Sequence, residues 1–252
     1  MSEIPQSHPR YVSLLTREKV VSGVEEGITG LSGLVAQGRG EAFDYFLGER
    51  TTPPGDDAER AATAMLLLAE RPVLSVNGNA AALVPQGMVD LANKIGAPLE
   101  VNIFYRTEER VKKIADLLRR SGAKTVYGED PNARVPGLDH DRAKACRGGV
   151  YDADVVLVPL EDGDRCEALV NMGKKVITVD LNPLSRTAKT ATVTIVDNAI
   201  RALPNVVELV DEMTGLSREE LEAVLEGYEN DAILRRSVTL MIEHLRGQFP
   251  QD

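Results

Sequence analysis

Between Pro72 and Asp197 the chain returns again and again to one unit, a short and continuously apolar run followed by a polar turn. The runs are VLSV, PLEVNIF, KTVYG, DVVLVPL, KVITVDL and TVTIVD. A strand with one wet face alternates apolar and polar residues; these runs do not alternate, so both of their faces must be covered. Helical segments lie between them: MVDLANKIG, which ends at a capping glycine, then TEERVKKIADLLRRSG and RCEALVNMGK. The pattern predicts an α/β fold, a Rossmann-like and mostly parallel sheet flanked by helices. Residues 1–71 read as a helical N-terminal segment, broken at TTPPGDD, where Asp56 or Asp57 is the expected N-cap. Residues 199–252 read as a charged, helical C-terminal segment, so the expectation is a single α/β domain with its Rossmann-like core at 72–198. Residues 130–152 read as a long polar connection, a length that points to function or mobility.

Charge and composition narrow the function. A formal charge of −10 argues against a nucleic-acid binder, although a locally basic site for an anionic substrate remains compatible with it. With no Trp and 4% aromatic residues, a stacking platform for bases or sugars is not expected. No apolar run approaches the roughly 20 residues of a membrane span, and the polar start MSEIPQSHPRYVSL is not a leader, so a cytoplasmic protein is expected. Cys146 and Cys166 lack metal-type spacing, and a reducing compartment suits them better than a disulfide.

In a parallel α/β sheet, ligands bind outside the carboxyl ends of the strands, so the residues after each strand are the candidates. After VLSV comes Asn77-Gly78-Asn79, either an anion-binding turn or a plain strand-to-helix turn. After PLEVNIF come Tyr105 and Arg106, the arginine either gripping an anion or pairing with Glu108 or Glu109. After DVVLVP, Glu161, Asp162 and Asp164 crowd together, a pattern for Mg²⁺ on nucleotide phosphates or for an acidic helix start. After VITVD the stretch DLNPLSRTAKT offers Asp180 and Asn182 for ribose or purine, and Ser185, Arg186, Thr187 and Lys189 for phosphate. Asp197 and Asn198 end the next run and are expected to face the same crevice as Asp180. Outside the sheet, Arg17 lies in a helix, and Arg39 lies between two glycines in what reads as a ligand-approaching turn or a solvated one. His8, His140 and His244 have no zinc spacing, and His140 is either a substrate contact or a solvated loop residue.

These blocks, taken in order, resemble the archaeal 4-phosphopantoate–β-alanine ligase family. The resemblance rests on IPQSHPRYVSLLTREKVVSG, LVAQGRGEAFDY, PVLSVNGNAAALVP, NIFYRTEERV, VPGLDHDR, VVLVPLEDGDRCEALV and VITVDLNPLSRTAKTATVTIVDN. It implies a Rossmann-like homodimer that uses ATP to adenylate the carboxylate of 4-phosphopantoate and then transfers the acyl group to β-alanine. The family's nucleotide contacts fall on Arg17, Arg39, Asp180-Leu181-Asn182, Ser185-Arg186-Thr187 and Asn198, with Leu181 offering backbone groups. Cys166 after LEDGDR and Ala199 after VDN depart from the family pattern without removing a charge. Arg186 and Asp162 are the expected catalytic residues, the first neutralising phosphate charge and the second accepting the amine proton. Asn77, Gly78 and Asn79, with Arg106 or His140, are expected to hold the substrate's phosphate. Mg²⁺ is expected with ATP, its protein ligands unassigned. A pantoate-type kinase or another ATP-dependent transferase is the alternative within enzymes, and a non-catalytic nucleotide sensor the alternative outside them.

Overall fold

The computed structural model describes residues 4–249. Helices α1 (Tyr11–Glu25), α2 (Leu31–Leu47) and α3 (Pro53–Leu68) precede the sheet. Next come β1 (Pro72–Val76), α4 (Gly78–Leu83), α5 (Pro85–Ile95), β2 (Leu99–Val101), α6 (Glu108–Arg120) and β3 (Val126–Tyr127). A hairpin of β4 (Ala133–Arg134) and β5 (Lys144–Ala145) leads to β6 (Val155–Pro159), α7 (Gly163–Asn171), β7 (Lys175–Val179), α8 (Arg186–Thr190) and β8 (Val193–Ile195). Helices α9 (Ala199–Met213), α10 (Arg218–Glu226) and α11 (Asn230–Gly247) follow.

Six strands form one sheet in the order β3-β2-β1-β6-β7-β8, every neighbouring pair parallel. Leu74, Leu99, Leu157, Ile177 and Val193 are fully buried within it, which is why the runs had to be apolar throughout. The order has a consequence for function. From β1 the chain builds outward to β2 and β3, then returns to place β6 on the other side of β1. Helices leaving β1 and β6 therefore diverge, and a crevice opens between the two strand ends.

Three local expectations change. The helix after TTPPGDD begins at Pro53 with Thr52 as its N-cap, so Asp56 sits in the first turn, where an acid suits the dipole. Arg39 is not in a turn: the glycines beside it lie inside α2, and Gly40 brings that helix against the Leu181 side chain. Residues 130–152 are not a loose connection. Val135, Leu138, Ala143, Ala145 and Val150 form an apolar cluster with Val156 and Val158 of β6 and Leu169 of α7. Glu100 of β2 fastens this segment by accepting hydrogen bonds from the Cys146 and Val150 N–H groups. A Cβ at Gly149 would lie 2.0 Å from that carboxylate, so glycine is required there.

Helix α3 packs through Ala58, Ala61 and Ala62, which are fully buried. It also buries Glu59, whose two carboxylate oxygens both accept from Asn205 of α9. Burial pushes the Glu59 carboxyl up to about 8; Asn205 opposes the shift, and Asp197 and Asp56 add to it. The unfolded chain titrates at the ordinary 4.5 while the folded chain holds the proton to about 8, so stability falls as pH rises through that window. Glu59→Gln should flatten this fall and leave stability below the window nearly unchanged. Urea unfolding across the pH range checks it, and equal pH slopes for the two proteins would contradict the assignment.

Candidate active site at the switch point of the sheet

Asn77 joins the two strands that part at the switch point. Its side-chain amide donates to the carbonyls of Pro159 (2.7 Å) and Leu160 (3.1 Å) at the end of β6, and its Oδ1 accepts from Ala80 N at 3.0 Å to cap α4. Gly78 follows because a Cβ there would lie 2.7 Å from the Ile28 carbonyl. Asn79 donates to the Gly33 carbonyl at 2.9 Å and so seats the start of α2 over the strand ends. The result is a cleft of about 350 Å³ whose lining includes Arg39, Asn77, Gly78, Asn79 and Asp162. Tyr105 and Leu160 also line it, and both have positive φ (48° and 55°) despite their side chains. Strain of this kind persists where the surroundings over-determine the backbone.

The polar wall of the cleft is built on a buried ion cluster. Glu161 accepts from Arg142 and from Arg165, and the side chains of all three are almost completely buried. Burial opposes ionisation of Glu161, but Arg142, Arg165 and the Asp162 N–H outweigh it and hold the carboxyl below its ordinary range. Asp162, half-exposed, lies with Oδ2 3.3 Å from Arg142 Nε. Burial raises its pKa; Arg142 opposes that, and Glu161 and Asp164 reinforce it. Arg110 lines the same cleft, its guanidinium held by the carbonyls of Phe104, Tyr105 and Ile28.

At the end of β7, Asp180 accepts from Ser185 Oγ and from Asn182 N, and Ser185 Oγ accepts from Ala188 N to cap α8. Burial raises the Asp180 pKa, and the charge of Arg39 is among the effects that oppose it, so Arg39 acts electrostatically on this strand end while lining the cleft. Thr187 donates to the Glu161 carbonyl at 2.8 Å, joining α8 to the β6–α7 loop. Arg186 lies along that loop: a Cβ at Gly163 would be 2.9 Å from its side-chain carbons, and its guanidinium pairs with Glu167 at the surface. Leu181 is buried against Leu47, Val196 and Met241.

Other expected residues are not gathered here. Asn198 donates to Asp44 at 2.8 Å and lines a separate cavity of about 460 Å³ with His8, Glu41 and Arg201. Arg17 grips Glu41 with a two-pronged ion pair at 2.7 and 2.6 Å. Asp44 is five residues beyond Arg39 and so turned roughly 140° from it, which puts Asn198 and Arg39 on different faces of α2. Asp180 lines neither of these two cavities, and Asn198 lines the second alone. Arg106 donates to the Gly128 and Glu129 carbonyls and does not line the cleft, nor does it pair with Glu108 or Glu109. His140 accepts from Arg142 N and pairs with Asp164 at 2.7 Å, beside a smaller adjoining cavity behind Phe104. Glu161 is thus neutralised by two arginines, and both oxygens of Asp164 are engaged, by His140 Nε2 and by the Arg165 N–H. In place of Arg106 and His140 the cleft presents Arg110 and Arg142, each four or fewer positions along the chain from the residue expected. Only burial and pairing distinguish them, and neither is visible in the sequence.

A doubly wound parallel sheet with a cationic cleft at its switch point defines an α/β protein equipped for phosphorylated or carboxylated ligands. Comparison with known proteins makes this specific. Residues 54–244 match the family model described as phosphopantothenate/pantothenate synthetase, and the chain belongs to that family. A Thermococcus kodakarensis protein named 4-phosphopantoate–beta-alanine ligase is 57% identical over 235 residues, 93% of this chain and 90% of the relative. A Methanosarcina mazei protein of the same name is 56% identical over 246 residues, 98% of this chain and 97% of the relative. A third, from Methanospirillum hungatei, is 53% identical over 221 residues, 86% and 90% respectively.

Removing the Asn77 side chain frees two carbonyls and uncaps α4 together. Asn77→Ala should cost about 2–4 kcal/mol of stability, measured by denaturant unfolding. A loss below about 0.5 kcal/mol, the range of ordinary surface substitutions, would show that the amide does not hold the ends of β1 and β6 together.

Proposed function

We propose that this protein is an ATP-dependent ligase that joins 4-phosphopantoate to β-alanine, giving 4′-phosphopantothenate, AMP and pyrophosphate in coenzyme A biosynthesis. The observation that carries the reading is the identity of 53–57% over nearly the whole length of relatives that bear this name. The cleft suits the chemistry. An ionised carboxylate is a poor acyl donor, so its oxygen attacks the α-phosphorus of ATP and pyrophosphate leaves with the electrons of the broken P–O bond. The amine of β-alanine then attacks the acyl carbon, AMP departs, and the nitrogen loses a proton.

The residues divide along the sheet edge. Asp180, Leu181 and Asn182 would hold the nucleoside, and Ser185, Arg186 and Thr187 its phosphates. Arg39, acting on Asp180 while lining the cleft, stands between nucleotide and acid, where charge develops on the α-phosphate. Asn77, Gly78 and Asn79 form the floor under the acid. Asp162 lies in the cleft with a raised pKa, suited to accept the proton of the attacking amine. No group of three acidic, His or Cys side chains among the described residues could form a metal cage, so a Mg²⁺ ion fits here as one carried by the ATP phosphates and water. When bound it would supply positive charge to the departing pyrophosphate.

Arg17 and Asn198 belong to this reading only through the second copy or a closed form, since both face away from Arg39 in one chain. The dimer finds support on α2. Leu31 and Val35 are 74% exposed and Tyr45 and Phe46 38% exposed along one face, with Gly38 open between them. An apolar stripe with a glycine at its centre allows another helix to approach closely. Among the described residues no helix is long and apolar enough to cross a membrane, and both cysteines are free and buried, which fits a cytoplasmic enzyme.

Purified protein incubated with ATP, Mg²⁺, 4-phosphopantoate and β-alanine should yield 4′-phosphopantothenate and AMP by mass spectrometry. ADP would point to a kinase, and ATP binding without turnover to a sensor. Arg186→Ala should lose about 2–4 kcal/mol of transition-state stabilisation in kcat/KM for ATP, and an unchanged value removes Arg186 from the site. Val35→Glu should convert a dimer into a monomer by light scattering; a mutant that stays dimeric would move the interface elsewhere.

A further inference from the structure

Arg110 holds an unusual position in the cleft. Its Nη1 donates to the Phe104 and Tyr105 carbonyls (3.1 and 3.0 Å) and its Nη2 to the Ile28 carbonyl at 3.1 Å. Three neutral acceptors fix the plane of the guanidinium without cancelling its charge. The Nε–H, buried, has no partner. Burial lowers the Arg110 pKa, and among the described residues no carboxylate offsets that loss. Arg17, Arg186 and Arg165 are compensated by Glu41, Glu167 and Glu161, whereas Arg39, which is less enclosed, and Arg106 make no ion pair among the described residues.

A second cation adjoins it on the cleft wall. Arg142 is 2% exposed, shares the single carboxylate of Glu161 with Arg165, and has an Nε–H that makes no hydrogen bond, although Asp162 lies 3.3 Å away. Two buried guanidiniums thus divide one buried carboxylate, with half-exposed Asp162 as the further compensation. With Asp162 ionised these charges balance, so the charge on this wall that no carboxylate answers is that of Arg110. Gly78 keeps the approach open, since a Cβ there would sit 3.4 Å from Arg110 Nη2.

We infer that Arg110, with Arg142 beside it, binds the terminal phosphate of 4-phosphopantoate and sets the preference for the phosphorylated acid over pantoate. The inference rests on the ligase reading above and assigns one end of its substrate. Placement decides between the two phosphate-bearing substrates. The proposed nucleotide residues follow β7, whereas Arg110 lies on the β1–β2 side of Asn77, with Arg39 between the two. A phosphate dianion answers the uncompensated charge of Arg110 and can accept from the Nη2–H that the Ile28 carbonyl leaves free, and the hydroxyl of pantoate leaves that charge unanswered. Discrimination then comes from the protein's own unsatisfied donors.

The test is steady-state kinetics of Arg110→Lys and Arg110→Gln with each substrate varied in turn, with thermal unfolding as a control for folding. KM for 4-phosphopantoate should rise about ten- to hundredfold in Arg110→Gln, less in Arg110→Lys, while KM for ATP stays within about twofold. Calorimetry without ATP should show the same loss of 4-phosphopantoate binding, and pantoate should bind wild type more weakly than 4-phosphopantoate and bind Arg110→Gln no less tightly than wild type. A role confined to holding the Phe104–Tyr105 backbone would raise both KM values together and would overturn the inference. A rise in KM for ATP alone would assign the cleft to the nucleotide phosphates and overturn it as well, as would unchanged kinetics. Wild-type protein that makes no 4′-phosphopantothenate overturns the ligase reading, and with it this choice of ligand. Wild-type turnover without the Arg110 pattern overturns only the inference.

Discussion

Glu161 sits between Arg142 and Arg165 out of reach of water, and much of the site is arranged around that contact. Removing Glu161 would leave two buried guanidiniums without their shared carboxylate, a loss of about 3–5 kcal/mol. The cluster also has positional consequences. Arg142 comes from the 130–152 segment and Glu161 from the end of β6, so their pairing holds the hairpin segment against the switch point. Glu100 and Asn102, at the end of β2, bind the same segment through its backbone. Three sequence-distant pieces thereby form one wall, which Arg142 and Asp162 line.

Across that cleft, Asn77 makes the complementary contact. The β1–β6 ladder pairs Pro72–Leu74 with Val155–Leu157 and stops short of the strand ends, so the spacing of those ends is left to side chains. Hydrogen bonds from one amide to Pro159 and Leu160 supply it, and the cap on α4 fixes the direction of the amide. Leu160 bends away with positive φ at that point, which turns the chain toward Glu161 and Asp162. The strain at Leu160 and at Tyr105 is local to the cleft, where pre-arranged polar groups stabilise charge without reorganising.

The strands were readable in the sequence because burial on both faces leaves an apolar run that no other arrangement explains. The residues after each strand were readable for the same reason, and Asn77, Gly78, Asn79 and Asp162 do meet in one cleft. Side-chain destinations were not. Arg106 and Arg110 are one helical turn apart in YRTEER, and nothing local says that the first reaches the β3 end while the second turns into the cleft. His140 and Arg142 differ likewise by pairing alone. The face of α2 that each residue occupies depends on helical phase. Arg39 and the residues that hold Arg17 and Asn198 therefore diverge, although their sequence blocks suggested one pocket.

The central claim is that the sheet edge is divided between two substrates, the nucleotide after β7 and the phosphorylated acid over β1 and β2, with their reacting groups meeting near Arg39. A crystal structure of the protein with 4-phosphopantoate and α,β-methylene ATP, in which the bond that must break is blocked, measures this directly. The account predicts the acid's phosphate within hydrogen-bond distance of Arg110 and the ribose beside Asp180 and Asn182. A triphosphate lying against Arg110 and Arg142, with the acid bound elsewhere, would contradict it.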